Sequence, residues 1–191
     1  EYYEQADAPV RAGDAPSRAR FIDEPDLSFR LASPTGKGMS ASDVRLLVNT
    51  IMGKWRNRPP IVIVQSEADL ANHEFGDEIL AAINNEGASG QIPGVYYKGR
   101  VFLIADKMRN GTDVAVTLAH EVVGHHGLRD LLGADEHAKL MDSIYLAYGK
   151  DALIRALPDY DFDGMDWSNR SVRRKAADEL VAKLAEDRIR P

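Results

Sequence analysis

The sequence predicts an α+β domain, a small mixed sheet flanked by amphipathic helices, and three stretches carry that prediction. Val44, Leu47, Val48, Ile51, Met52 and Trp55 recur at helical spacing. Residues 95–97 and 100–105 are β-forming runs on either side of Lys98-Gly99, which is the pattern of a tight hairpin. Residues 118–128 then hold three of the five histidines on an Ala- and Val-rich segment that reads as a helix.

The chain has 191 residues, 44% of them hydrophobic, which is enough for one domain with its own core. A net charge of −6 and the lack of a basic stripe argue against nucleic acid as a partner. There is no apolar run of the roughly 18 residues a membrane span requires, and no signal-peptide core. No membrane partner is therefore expected, and the compartment stays open. Cysteine is absent, so any metal must be held by histidines and carboxylates. The chain opens on Glu1 and stops just after a predicted helix, so it is expected to be an excised part of a larger multidomain protein.

In order, residues 1–35 lack periodicity and are broken by Pro9, Gly13, Pro16, Pro25 and Pro34. They read as a linker or N-terminal arm, leaving 36–191 as the domain. Ser40 and Asp43 have the form of a capping box ahead of the first helix, whose apolar stripe reads as core. Pro59-Pro60 stops that helix, and residues 61–64 read as a buried strand. His73-Glu74 has no second histidine at helical spacing and reads as surface. Residues 78–84 suggest a short helix, followed by a loop and the hairpin. Thr112 is placed to cap the next helix, with Asp113 in its first turn and an end expected near Gly127.

Leu131 and Leu132 read as further core. Residues 135–148 suggest another helix, with Leu140, Met141, Ile144 and Ala147 inward. The acidic stretch 159–164 lacks the downstream Glu of a calcium loop and reads as surface or as a rim of a cleft. Residues 171–189 form the last helix. Its most apolar stripe is Arg173, Ala177, Leu180, Val181 and Leu184, with Glu179 and Glu186 on a flank.

The chemistry lies in His120-Glu121-Val-Val-Gly-His125. Neutral imidazoles suit Zn²⁺, and a carboxylate beside the metal can take a proton from water. A His-Glu pair followed within about a turn by a second His marks a helical zinc-hydrolase site. Here the histidines are five apart, offset by about 140° on a regular α-helix and unable to converge. They can share an ion only through a local π-bulge, which Gly124 would tolerate. Without one, Glu121 and His125 would be the pair sharing a face.

The segment resembles the HExxGH variant of the zincin motif, best known from the dipeptidyl peptidase III family. The longer string HEVVGHHGLRDLLG, the hairpin VYYKGRVFLIAD and the run RRKAADELVAKLAED resemble the metallopeptidase-like domains of large polyvalent proteins from phages and mobile elements. The resemblance covers about residues 36–190 and implies a zincin-like fold. His120 and His125 would bind zinc, Glu121 would be the general base, and a Glu on a later helix would be the third ligand. Asp178-Glu179 resembles the acidic pair on that helix, which points to Glu179. The rival is Asp130, at the end of a compact HExxHxxGxxD-like pattern with the second histidine displaced by one. The resemblance further implies that the hairpin supplies the sheet edge on which an extended substrate would lie.

The expected activity is zinc-dependent peptide-bond hydrolysis on a peptide or protein substrate. His126, Arg129 and Tyr148 are candidate substrate or transition-state contacts, with Tyr145 and Tyr160 as further possible oxyanion donors. The alternative is a binding module that keeps the fold without catalysis. A structural zinc site is disfavoured by the absence of cysteine and by the placement of Glu121.

Overall fold

The hairpin around Lys98-Gly99 is the middle of the sheet and not its rim. The computed structural model describes residues 19–20, 27–30, 38–55, 57–85 and 90–189. Within these lie β1 (Ala19–Arg20), β2 (Leu27–Arg30), β3 (Ile61–Val64), β4 (Gly94–Tyr97), β5 (Arg100–Ile104) and β6 (Tyr160–Asp161). The main sheet has the order β2-β4-β5-β3, and β1 pairs with β6 apart from it. β4 is antiparallel to both β2 and β5, whereas β5 and β3 are parallel. Lys98 and Gly99 take φ of 45° and 79°, the left-handed pair that matches strand twist in a two-residue turn. The expected free edge on the hairpin is thus covered, because residues 27–30 add a strand to β4.

The helices are α1 (Ala41–Met52), α2 (Gly76–Asn85), α3 (Gly111–Leu118), α4 (Leu128–Leu132), α5 (Ala134–Ala156) and α6 (Arg170–Asp187), with a π-helical segment at Ala119–Gly127. The chain is therefore α+β. Among the described residues no helix is long and apolar enough to cross a membrane.

Side-chain alternation builds a core on both faces of the hairpin. Val95, Tyr97, Phe102 and Ile104 point to one side, against Leu70, Ile79 and Ile83. Tyr96, Val101 and Leu103 point to the other, against Val44, Val48 and Met52 of α1 and Val114 and Leu118 of α3. A third cluster joins Leu153 and Leu157 to Phe162 and to Val172, Ala176 and Leu180 of α6. Asp142 of α5 accepts hydrogen bonds from both Arg170 and Arg174, fastening α6 along α5.

Several local expectations hold and several fail for identifiable reasons. Ser40 caps α1, accepting from the Asp43 amide, and His73 is exposed. β3 is an edge strand with only Val64 buried, because among the described residues no strand lies beyond it. Asn110, not Thr112, caps α3, accepting from the Asp113 amide at 3.0 Å. The helix does not end at Gly127 but runs on to Leu132, where Gly133 at φ 75° stops it. Leu131 is 78% exposed and Leu132 is also exposed, and no residue of α4 is buried. In α5 the buried residues are His137, Met141 and Leu153, while Ala147 is exposed, and the helix breaks at Gly149 (φ 73°). Residues 1–18, 21–26 and 31–37 lie outside the described residues, and with them most of the predicted linker or arm.

Candidate metal centre

Residues five apart can share a face only where the backbone ladder skips one residue, and Ala119–Gly127 is π-helical throughout. The irregularity required by the spacing spans nine residues instead of one. His120 and His125 consequently face each other, with ring centroids 4.9 Å apart. Gly124 has a second role. A Cβ there would lie 2.4 Å from Cα of Ala182 on α6, so the absence of a side chain lets the two helices nearly touch. That close crossing carries Glu179 to the histidines.

Oε2 of Glu179 lies 3.5 Å from Nε2 of His120 and 3.7 Å from Nε2 of His125. Three donors at about 2.0–2.2 Å from a tetrahedral ion would sit roughly 3.3–3.6 Å apart, so this spacing fits one metal. All three residues are buried, and neither Nε2 makes a hydrogen bond. Two unfilled imidazole nitrogens beside a carboxylate, with no thiolate, are a donor set for a borderline divalent cation. Among the described residues, this is the group whose ligand atoms converge within 4.8 Å.

A second row of polar groups holds the first. Oδ2 of Asp178 is 2.8 Å from Nδ1 of His125, which fixes the tautomer that leaves Nε2 as the lone-pair nitrogen. Oδ1 of the same carboxylate lies 2.9 Å from Nε2 of buried His137. Glu186, two turns beyond Glu179, lies 3.5 Å from Nδ1 of His120. The Tyr160 hydroxyl donates to Oε2 of Glu179 at 2.6 Å. Glu121 is fully buried, beneath Gly94 of β4, whose missing Cβ would lie 3.1 Å from its Cγ. The Tyr96 ring stacks on His125 at 6.5 Å, and its hydroxyl is 3.4 Å from Nδ1 of His126.

Burial opposes charge on His120, but the carboxylates of Glu179 and Glu186, with Glu121 nearby, outweigh it and raise its pKa to about 10. His125 is raised in the same way, burial being overcome by Glu179 and Asp178. Glu179 is lowered, since the two histidines and Tyr160 outweigh its desolvation. Burial and Glu179 together push the Tyr160 phenol well above its usual value.

Of the residues singled out from sequence, His120, Glu121, His125 and Glu179 come together. Asp130 does not: it is exposed on α4 and outside the cluster. Tyr148 is exposed on α5, and Tyr145 stacks on Trp167 at 6.2 Å in the third core. Arg129 is half-buried on α4, and His126 is half-buried beside Tyr96. Lys183, one turn beyond Glu179, pairs with Asp187 at 3.1 Å and with Glu186 at 3.6 Å. Sequence reasoning missed the supporting roles of Asp178, His137 and Tyr96. Asp178 was signalled only by standing next to Glu179; His137 and Tyr96 carried no signal beyond residue type. The chain matches no protein-family model, no curated protein and no solved structure.

Proposed function

We propose that this chain is a zinc-dependent peptide-bond hydrolase with a zincin-like arrangement of sheet, helix and late helix. The observation that carries this reading is the convergence of His120, His125 and Glu179 beside a buried Glu121. When bound, zinc supplies a Lewis acid that polarises a carbonyl and makes water acidic near neutral pH. The protein's own residues supply the remainder. Glu121 takes the proton of the attacking water and passes it to the leaving amine. Asp178 holds His125 with Nε2 toward the ion, and Glu186 faces the Nδ1 side of His120. Tyr160, with its hydroxyl already at the ligand carboxylate, is the donor best placed to stabilise a developing oxyanion. It replaces Tyr148 and Tyr145 in that role.

Glu121→Gln separates binding from chemistry. The amide cannot accept a proton yet keeps the shape of the carboxylate. Zinc content, measured by mass spectrometry of the purified protein, should stay near one per chain while hydrolysis of an unstructured protein substrate falls on the order of 10²-fold or more. Purified chain that neither carries nor takes up zinc would remove the enzyme reading and leave a binding module.

A further inference from the structure

The open side of β4 is where an extended peptide would have to lie to bring a carbonyl to Glu121, and the chain fills that place itself. β5 takes one edge of β4 and β2 takes the other, so β4 has no free edge. The β2 register runs antiparallel from Leu27 opposite Tyr97 to Arg30 opposite Gly94. Gly94 is the residue packed on Glu121, and Tyr96 of the same strand stacks on His125. β2 also lies against the π-helical segment. A second stretch of the same arm reaches the cluster independently: Ala19 of β1 pairs with Tyr160, whose hydroxyl holds Glu179. The arm is thus hydrogen-bonded to two strands that each touch the metal site.

We propose that Leu27–Arg30 is a built-in pseudosubstrate strand that closes the peptide cleft until it is displaced. Its consequence for turnover rests on the peptidase reading, but the edge can be tested without turnover. An intramolecular strand reduces the apparent affinity for an added peptide by the fraction of time the edge is open.

The test uses the full chain on a Glu121→Gln background and a fluorescein-labelled peptide of residues 24–33, read by anisotropy. Ser28→Pro with Phe29→Pro removes two adjacent amides, at least one of which faces β4. The probe should bind this variant at least tenfold more tightly than the chain with its arm intact. Because proline could disturb folding, a second variant places Phe29→Cys opposite Val95→Cys, a register pair within disulfide reach in a chain that has no other cysteine. Its oxidised form should exclude the probe, and reduction with a phosphine should restore binding. Equal binding by the oxidised pair and the proline variant would overturn the inference, as would a proline variant that binds no better than the intact arm. With Glu121 restored and zinc present, a released chain that binds the probe without cleaving it would retire the peptidase reading and leave the strand as the occupant of the edge.

Discussion

At the residue scale, the site is a contest between protons and a cation for the same two imidazoles. In the metal-free chain His120, with its pKa raised to about 10, is charged at neutral pH, and the carboxylates beside His125 favour its charged form as well. Zinc requires them neutral, so its binding expels protons. The apparent zinc affinity should therefore climb with pH, with a slope of at least about one log unit per pH unit while His120 is protonated, and should flatten as pH passes about 10. Calorimetry in two buffers of different ionisation enthalpy reads the proton count directly, and release of none would show that the imidazoles are neutral before zinc arrives. The same shifts bear on stability. A group with a raised folded pKa contributes fully below its unfolded value of 6.5, and the contribution is lost as pH rises through about 10. The melting temperature of the metal-free chain should accordingly fall over that window. Alanine at Glu179 should cut zinc affinity sharply, whereas Asp130→Ala should leave it within about twofold, since Asp130 is solvated on α4. A strong effect at Asp130 with none at Glu179 would exchange the two ligands.

At the element scale, the site depends on how two helices cross. The π-helical stretch turns His120 and His125 to one face, and the Gly124–Ala182 contact sets the distance at which α6 passes. Gly124→Ala should push α6 outward, costing about 1–3 kcal/mol of stability through overpacking and weakening zinc binding at least tenfold. Urea unfolding and zinc titration of the same variant report the two effects, and an unchanged affinity would show that the crossing does not set the ligand distance. This dependence also explains what could be read from the sequence and what could not. The five-residue histidine spacing demands an irregular helix, so the π segment was legible in principle. The buried face of α6 was not. Periodicity puts Leu184 inward and leaves Glu179 and Glu186 on a flank, yet Leu184 is 51% exposed while Ala176, Glu179, Ala182 and Glu186 are buried. A hydrophobicity pattern assumes that the partner surface is apolar. Here the partner surface is a pair of histidines, and the carboxylates follow the charge. Residues 27–30 were equally hidden, because a strand that joins a sheet through its backbone needs no side-chain pattern.

At the scale of the whole molecule, the metal residues lie outside the three apolar clusters, which close without drawing on them. The sheet clusters close over β4 and β5, and the third closes between α5 and α6, with Asp142 clamped by Arg170 and Arg174. What the ion would add is a bond between two parts of the molecule, from the helix that follows the sheet to the helix packed on α5. A ligand that binds only the folded state stabilises it by RT ln(1 + [L]/Kd), about 4 kcal/mol at a free concentration a thousandfold above Kd. For a domain of this size each kcal/mol moves the midpoint by roughly 2–4 °C, so saturating zinc should raise the melting temperature by about 8–16 °C. The chelated protein should keep its far-ultraviolet dichroism and melt cooperatively, only earlier. Collapse of secondary structure on chelation would mean that the ion, and not the apolar clusters, holds α6 in place. No shift on adding zinc would mean that His120, His125 and Glu179 do not close on it.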